Sequence, residues 1–158
     1  MAQSLRPSAA KREQLDSLIE DRFRAHHQAD VIKSLPRFGS LLVAEFIAAT
    51  GGDVISFGTA DRLAGVSGLA PAPRDSGRIT GNLYRPQRYS RRLLRIFYLS
   101  AQLGIQHCAA SKTYYDRKRA EGKRHIQAVL ALARRRLNVL WALLRDNRMY
   151  QPVIQPAV

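Results

Sequence analysis

A chain of 158 residues, 46% apolar and 24% charged, is long enough for one compact core and too apolar for a disordered chain. No apolar run approaches the ~20 residues of a membrane helix, and residues 1–12 hold no apolar stretch of the kind a secretory leader needs. Cys108, the single cysteine, excludes an internal disulfide and a cysteine-based zinc cluster. The net charge is +14 and unevenly spread: residues 1–73 balance eight Lys/Arg against eight Asp/Glu, whereas residues 74–158 set eighteen against four. Arginine outnumbers lysine twenty-one to five. Codon bias can account for arginine over lysine, but not for a one-sided excess, which points to a polyanionic partner that guanidinium groups grip in pairs of hydrogen bonds.

In chain order, Ser8 caps an expected helix over residues 9–27, with Leu15, Leu18, Ile19 and Phe23 forming one narrow apolar stripe. Val31, Ile32 and Leu35 lead into Pro36, which breaks any helix nearby. Residues 40–50 give a second helix, apolar nearly all round and so buried, ended by Gly51 and Gly52 as a left-handed cap. Thr59 caps a short helix over 60–64, with Asp61 in its first turn. Residues 65–82 carry Gly, Pro and Ser without periodicity and read as a long irregular loop. Helix returns over 89–107, with Leu93, Leu94, Phe97 and Leu103 inward and arginines outward, and again over 112–121 up to Gly122. The last helix, 123–146, keeps the i, i+3/i+4 rhythm through Ile126, Val129, Leu130, Ala133, Leu137, Leu140, Trp141 and Leu144. From Met149 the chain reads as a loose tail. The expected fold is mainly α: a compact helical domain with a helix–hairpin–helix-like element, a long irregular loop and a long C-terminal helix.

Three constellations carry candidate chemistry. Leu35-Pro36-Arg37-Phe38-Gly39, with Ala44 in the following helix, has the form of a helix–hairpin–helix element, in which a tight turn and a helix N-terminus offer backbone N–H groups to a phosphate. Arg37 stands where such elements usually carry a glycine. An ordinary helix–turn–helix connection explains the same residues equally well. The second is Asp75-Ser76-Gly77 between Arg74 and Arg78, in a stretch where seven arginines are opposed by Asp75 alone. A serine attacking a DNA phosphate needs such a cationic setting, and Asp75 is the nearest carboxylate; a plain surface turn is the commoner meaning of Asp-Ser-Gly. The third is the basic surface of the last two helices, Lys112, Arg117, Lys118, Arg119, Lys123, Arg124, Arg134 and Arg135, interleaved with Tyr114 and Tyr115. It suits phosphate contacts with base stacking, or a solvated face with both tyrosines in the core. His26-His27 and His107-Cys108 have no metal-ligand spacing, no phosphate-cradling glycine loop occurs, and no acidic cluster could hold a pair of Mg²⁺ ions.

Ser34-Leu35-Pro36-Arg37-Phe38-Gly39, Phe57-Gly58-Thr59-Ala60-Asp61-Arg62-Leu63-Ala64-Gly65, Gly68-Leu69-Ala70-Pro71, Asp75-Ser76-Gly77 and Arg91-Arg92-Leu93-Leu94-Arg95, in that order and spacing, resemble the DEDD-type insertion-sequence transposases related to the Piv invertase, some of them guided by a bridge RNA. The resemblance covers about residues 30–148. It implies an N-terminal RuvC-like domain that holds metal through acidic residues, joined to a C-terminal domain whose serine links covalently to DNA. On that reading Ser76 is the nucleophile. Residues 1–29 would be the end of a connecting helical segment, 30–148 the serine-bearing domain and 149–158 a flexible tail, in a truncated transposase without its RuvC-like half. The residues expected to meet nucleic acid are Arg37 and Gly39 in the hairpin, Arg74, Gly77, Arg78, Arg85, Arg88, Arg91 and Arg92 around Ser76, and Lys118, Lys123 and Arg124 on the last helices. No metal site or cofactor is expected in this chain, Mg²⁺ belonging with the RuvC-like domain. The expected partners are DNA, a guide RNA, and a second copy or a RuvC-like domain in trans, but no membrane, in a cytoplasmic, nucleoid-associated protein. The rival reading is a non-catalytic basic DNA- or RNA-binding module, or a transposase remnant.

Overall fold

The computed structural model describes residues 9–73, 83–84 and 87–152. Among them the chain is mainly α, as expected: α1 (Ala9–Arg24), α2 (Ala29–Ser34), α3 (Ser40–Thr50), a 3-10 turn (Ile55–Phe57), α4 (Ala60–Val66), α5 (Arg91–His107), α6 (Ala109–Ala120) and α7 (His125–Arg145). One two-residue antiparallel ladder, β1 (Ala72–Pro73) with β2 (Leu83–Tyr84), pairs Ala72 with Tyr84 and Pro73 with Leu83. Helices α5, α6 and α7 pack on one another; α3 lies against α5, α2 and α4 against α7, and α1 against α2 and α3.

Local chemistry sets the element ends. Leu35, held extended by Pro36 (φ −67°, ψ 125°), closes α2. Gly51 (φ 69°) ends α3, and the Gly52 N–H reaches back to the Ile47 carbonyl at 2.9 Å, the six-to-one bond of a left-handed cap. The Thr59 hydroxyl accepts from the Arg62 N–H at the start of α4, and the Ser90 hydroxyl from the Leu93 N–H at the start of α5. At the centre Phe38, Phe46 and Phe97 meet edge to face, with ring centroids 5.7–6.2 Å apart. Each ring contributes about 1.5–3 kcal/mol by burial, and the edge-to-face geometry adds to it. The triad locks the Leu35–Gly39 turn and α3 onto α5.

Several expectations need correction. Residues 29–34 form a helix, α2, ahead of the proline. Helix α1 ends at Arg24, α6 begins at Ala109 and α4 runs on to Val66. In α1 only Phe23 is buried, while Leu15 and Leu18 are exposed, and α3 leaves Leu41 in solvent. Leu103 and Ile126, expected inward, are 39% and 58% exposed: Leu103 lies at the edge of the buried face of α5, and Ile126 lies in the first turn of α7. Tyr150, expected in a loose tail, is half-buried, and its N–H donates to the Ser34 hydroxyl at 2.8 Å. The expected cap Ser8 lies outside the described residues.

Candidate nucleic-acid interface

The described residues that precede and follow the segment bearing Ser76 meet in one neck. The Ser90 N–H donates to the Val66 carbonyl at 2.6 Å, joining the end of α4 to the start of α5. Gly68 (φ 69°) lies beneath Tyr89, where a Cβ would sit 2.7 Å from the ring. The Leu69 and Ala70 N–H groups both donate to the Ala64 carbonyl, and the β1–β2 ladder continues the closure. Ser76, Arg74, Gly77, Arg78 and Arg85 lie outside the described residues. Arg88, Arg91 and Arg92 are exposed on the α5 side of this neck. Two of them open α5, whose first turn has no acidic residue. Cations there oppose the helix dipole at about 0.3–1 kcal/mol each, a cost that an anion would reverse. Arg95, one turn on, is already engaged: its Nη1 reaches both oxygens of Glu45 at 2.9 and 3.0 Å, tying α5 to α3.

Arg37 does adopt positive φ (62°), the conformation for which a glycine is usual, and its side chain is exposed. Gly39 caps α3 with extended backbone and nothing near a would-be Cβ. The end of α3 already faces a carboxylate, however. Glu20 accepts from the Ser40 hydroxyl at 2.6 Å, and this bond, opposed by desolvation and aided by Lys33 and Arg24, holds its carboxyl below the usual range. A phosphate at this turn would compete with Glu20.

The turn between α2 and α3 is anchored from beneath by Arg136, which composition alone would have counted among the surface cations. Its guanidinium is buried, and among the described residues its acceptors are all neutral: the Ser100 hydroxyl at 2.9 Å, the Ser111 hydroxyl at 3.3 Å and the Pro36 carbonyl. Burial lowers its proton affinity, partly offset by Cys108 and Tyr150. Burial in turn pushes the Cys108 thiol up, but hydrogen bonds from the Ser111 hydroxyl and the Ser111 and Ala110 N–H groups, together with Arg136, bring it below the ordinary thiol value. The signal was legible: Arg136 continues the Val129–Ala133–Leu140 face of α7 at helical spacing. Pro36 meets α5 through Ser100, about 14 Å of helix rise from Arg91, so hairpin and neck address different stretches of α5.

On α6 and α7, Arg117, Lys118 and Arg135 surround the Tyr114 ring, at 5.1, 5.6 and 4.7 Å from its centroid. The Tyr115 hydroxyl bonds His125 Nδ1 at 2.7 Å. Both tyrosines are half-buried against the core. Lys118 pairs with Glu121 at 2.8 Å, a hydrogen bond that, against some desolvation, draws the Glu121 carboxyl below its ordinary value. Lys123 and Arg124 are exposed at the α6–α7 turn, where the Arg119 guanidinium donates to the Lys123 carbonyl. Arg134 pairs with Asp61 and ties α7 to α4.

Among the described residues no three His, Cys, Asp or Glu side chains gather where they could hold a metal ion. No helix there is long and apolar enough to cross a membrane.

Three relatives place this architecture. The chain is 66% identical over 142 residues to the insertion element IS900 uncharacterized 42 kDa protein of Mycobacterium paratuberculosis, covering 90% of this chain and 36% of that one. It is 52% identical over 137 residues to the insertion element IS116 uncharacterized 44.8 kDa protein of Streptomyces clavuligerus, covering 87% and 34%. It is 26% identical over 141 residues to the pilin gene-inverting protein of Moraxella bovis, covering 87% and 43%. The chain thus spans about a third of the length of the first two. The model of the Transposase IS116/IS110/IS902 family matches residues 29–116, more than half of the chain, and the chain belongs to that family.

Proposed function

We propose that this chain is the serine-bearing, DNA-binding part of an insertion-sequence transposase, and that Ser76 attacks a DNA phosphate during strand exchange. The observation that supports the reading is the neck: the described residues that precede and follow Asp75-Ser76-Gly77 in the chain meet beside the start of α5, through Val66 with Ser90 and Gly68 with Tyr89, where Arg88, Arg91 and Arg92 stand exposed. In the step proposed, the Ser76 Oγ–P bond forms as one P–O ester bond of the DNA breaks. The hydroxyl proton passes to a base, for which Asp75 is the nearest carboxylate in sequence, and the leaving sugar oxygen takes a proton. Arginines around the segment, Arg74, Arg78 and Arg85 with the three at the neck, stabilise the charge that builds on the phosphoryl oxygens.

The metal-dependent part of the reaction is assigned to a RuvC-like domain, and Mg²⁺ to its carboxylates. DNA is the substrate, and a guide RNA would meet the same basic surfaces. The test is a cellular excision assay. This chain is supplied together with a RuvC-like domain, and the joined element circle is quantified. Ser76→Ala should lower circle formation about 10³-fold or more, the scale for loss of a nucleophile. Circles formed at the wild-type level would remove Ser76 from the chemistry.

A further inference from the structure

We propose that Tyr114, with Arg117, Lys118 and Arg135, forms a seat for one phosphodiester group of a bound nucleic-acid backbone. The proposal rests on the nucleic-acid reading above and names the contact that α6 and α7 make. Three cations converge within 6 Å of one ring centroid. A ring face attracts cations through its quadrupole but carries no net charge, so it gathers them without neutralising them. The protein's own anion covers the cluster incompletely: Glu121 reaches Lys118 at 2.8 Å and Arg117 only at 3.9 Å. No carboxylate among the described residues pairs with the exposed Arg135. Nor does α7 help, since its first turn has no acidic residue and Lys123 and Arg124 precede it.

Mutually repelling cations held in one place are matched by an anion from outside, and guanidinium groups suit the paired oxygens of a phosphodiester. The arrangement also gives Tyr114 a different role from base stacking. With three cationic groups about its ring, it organises the phosphate grip.

Binding is measured by fluorescence anisotropy on the full chain at rising KCl, with a labelled DNA duplex in one arm and an RNA hairpin in the other. Arg135→Ala should weaken binding at low salt and reduce the slope of log affinity against log salt by about one. Tyr114→Phe, which keeps a ring face, should match the wild type, and Tyr114→Leu should lose as much as Arg135→Ala. Glu121→Gln, which removes the internal competitor, should bind more tightly. Arg24→Ala, on α1 and paired with Glu20, should leave the slope unchanged. Loss in both arms assigns the seat to phosphodiester backbones generally, and loss in one arm assigns it to that nucleic acid. Unchanged slopes in both Arg135→Ala and Arg117→Ala, with wild-type binding intact, would overturn the seat alone. Absence of salt-dependent binding by the wild type would overturn the nucleic-acid reading and the seat with it.

Discussion

Arg136 shows how one side chain can decide the arrangement of four segments. A buried guanidinium without a carboxylate is costly, because its lost hydration must be replaced by well-placed dipoles. Here Ser100 of α5, Ser111 of α6 and the Pro36 carbonyl of the hairpin supply them. Gly104 leaves the room: a Cβ there would sit 3.1 Å from both the Arg136 Nη1 and the Ser111 Oγ. Arg136→Met keeps most of the volume but strands two hydroxyls and a carbonyl, and should cost about 2–4 kcal/mol, read as a lowered denaturation midpoint. Arg136→Lys should recover only part of that, since one ammonium cannot span acceptors on three sides. A midpoint unchanged in the Met variant would show that the polar contacts contribute nothing net.

At the scale of elements, the neck between α4 and α5 matters most for the proposed chemistry. Gly68 combines positive φ with direct contact against the Tyr89 ring. Gly68→Ala therefore meets both backbone strain and overlap, and should destabilise the domain by about 2–4 kcal/mol in a urea titration. Gly39→Ala, where a Cβ meets nothing and φ is −66°, should be near neutral in the same experiment. Equal effects at the two positions would contradict the account of the neck. Nothing in the sequence distinguishes these two glycines, because the difference lies in Tyr89, twenty-one residues on from Gly68. Elements whose ends are set locally were legible: the Gly51-Gly52 cap of α3, the Thr59 cap of α4 and the long amphipathic α7. Helix α2 was not, since six residues ahead of a proline hold too few turns to show a period. Leu103 and Ile126 were misplaced because periodicity locates a face but not the width of the neighbour that covers it.

For the molecule as a whole, charge foretold more than shape. The partition of the net charge at residue 74 marks which part of the chain carries the exposed neck arginines and the Tyr114 cluster. It could not say which cations are spent internally. Arg95 on Glu45 and Arg134 on Asp61 were indistinguishable from their exposed neighbours until the helices were packed, whereas Arg136 stood on the apolar face of α7. Ser76 and the four binding candidates nearest it lie outside the described residues and rest on the sequence. The decisive measurement is a denaturing-gel assay for a protein–DNA adduct on nicked element-end DNA, with Mg²⁺ and a RuvC-like domain supplied in trans. An adduct formed by the wild type and absent from Ser76→Ala, with both proteins binding the DNA alike, is the predicted result. An adduct that persists in Ser76→Ala, or none from the wild type despite salt-sensitive binding, would contradict it.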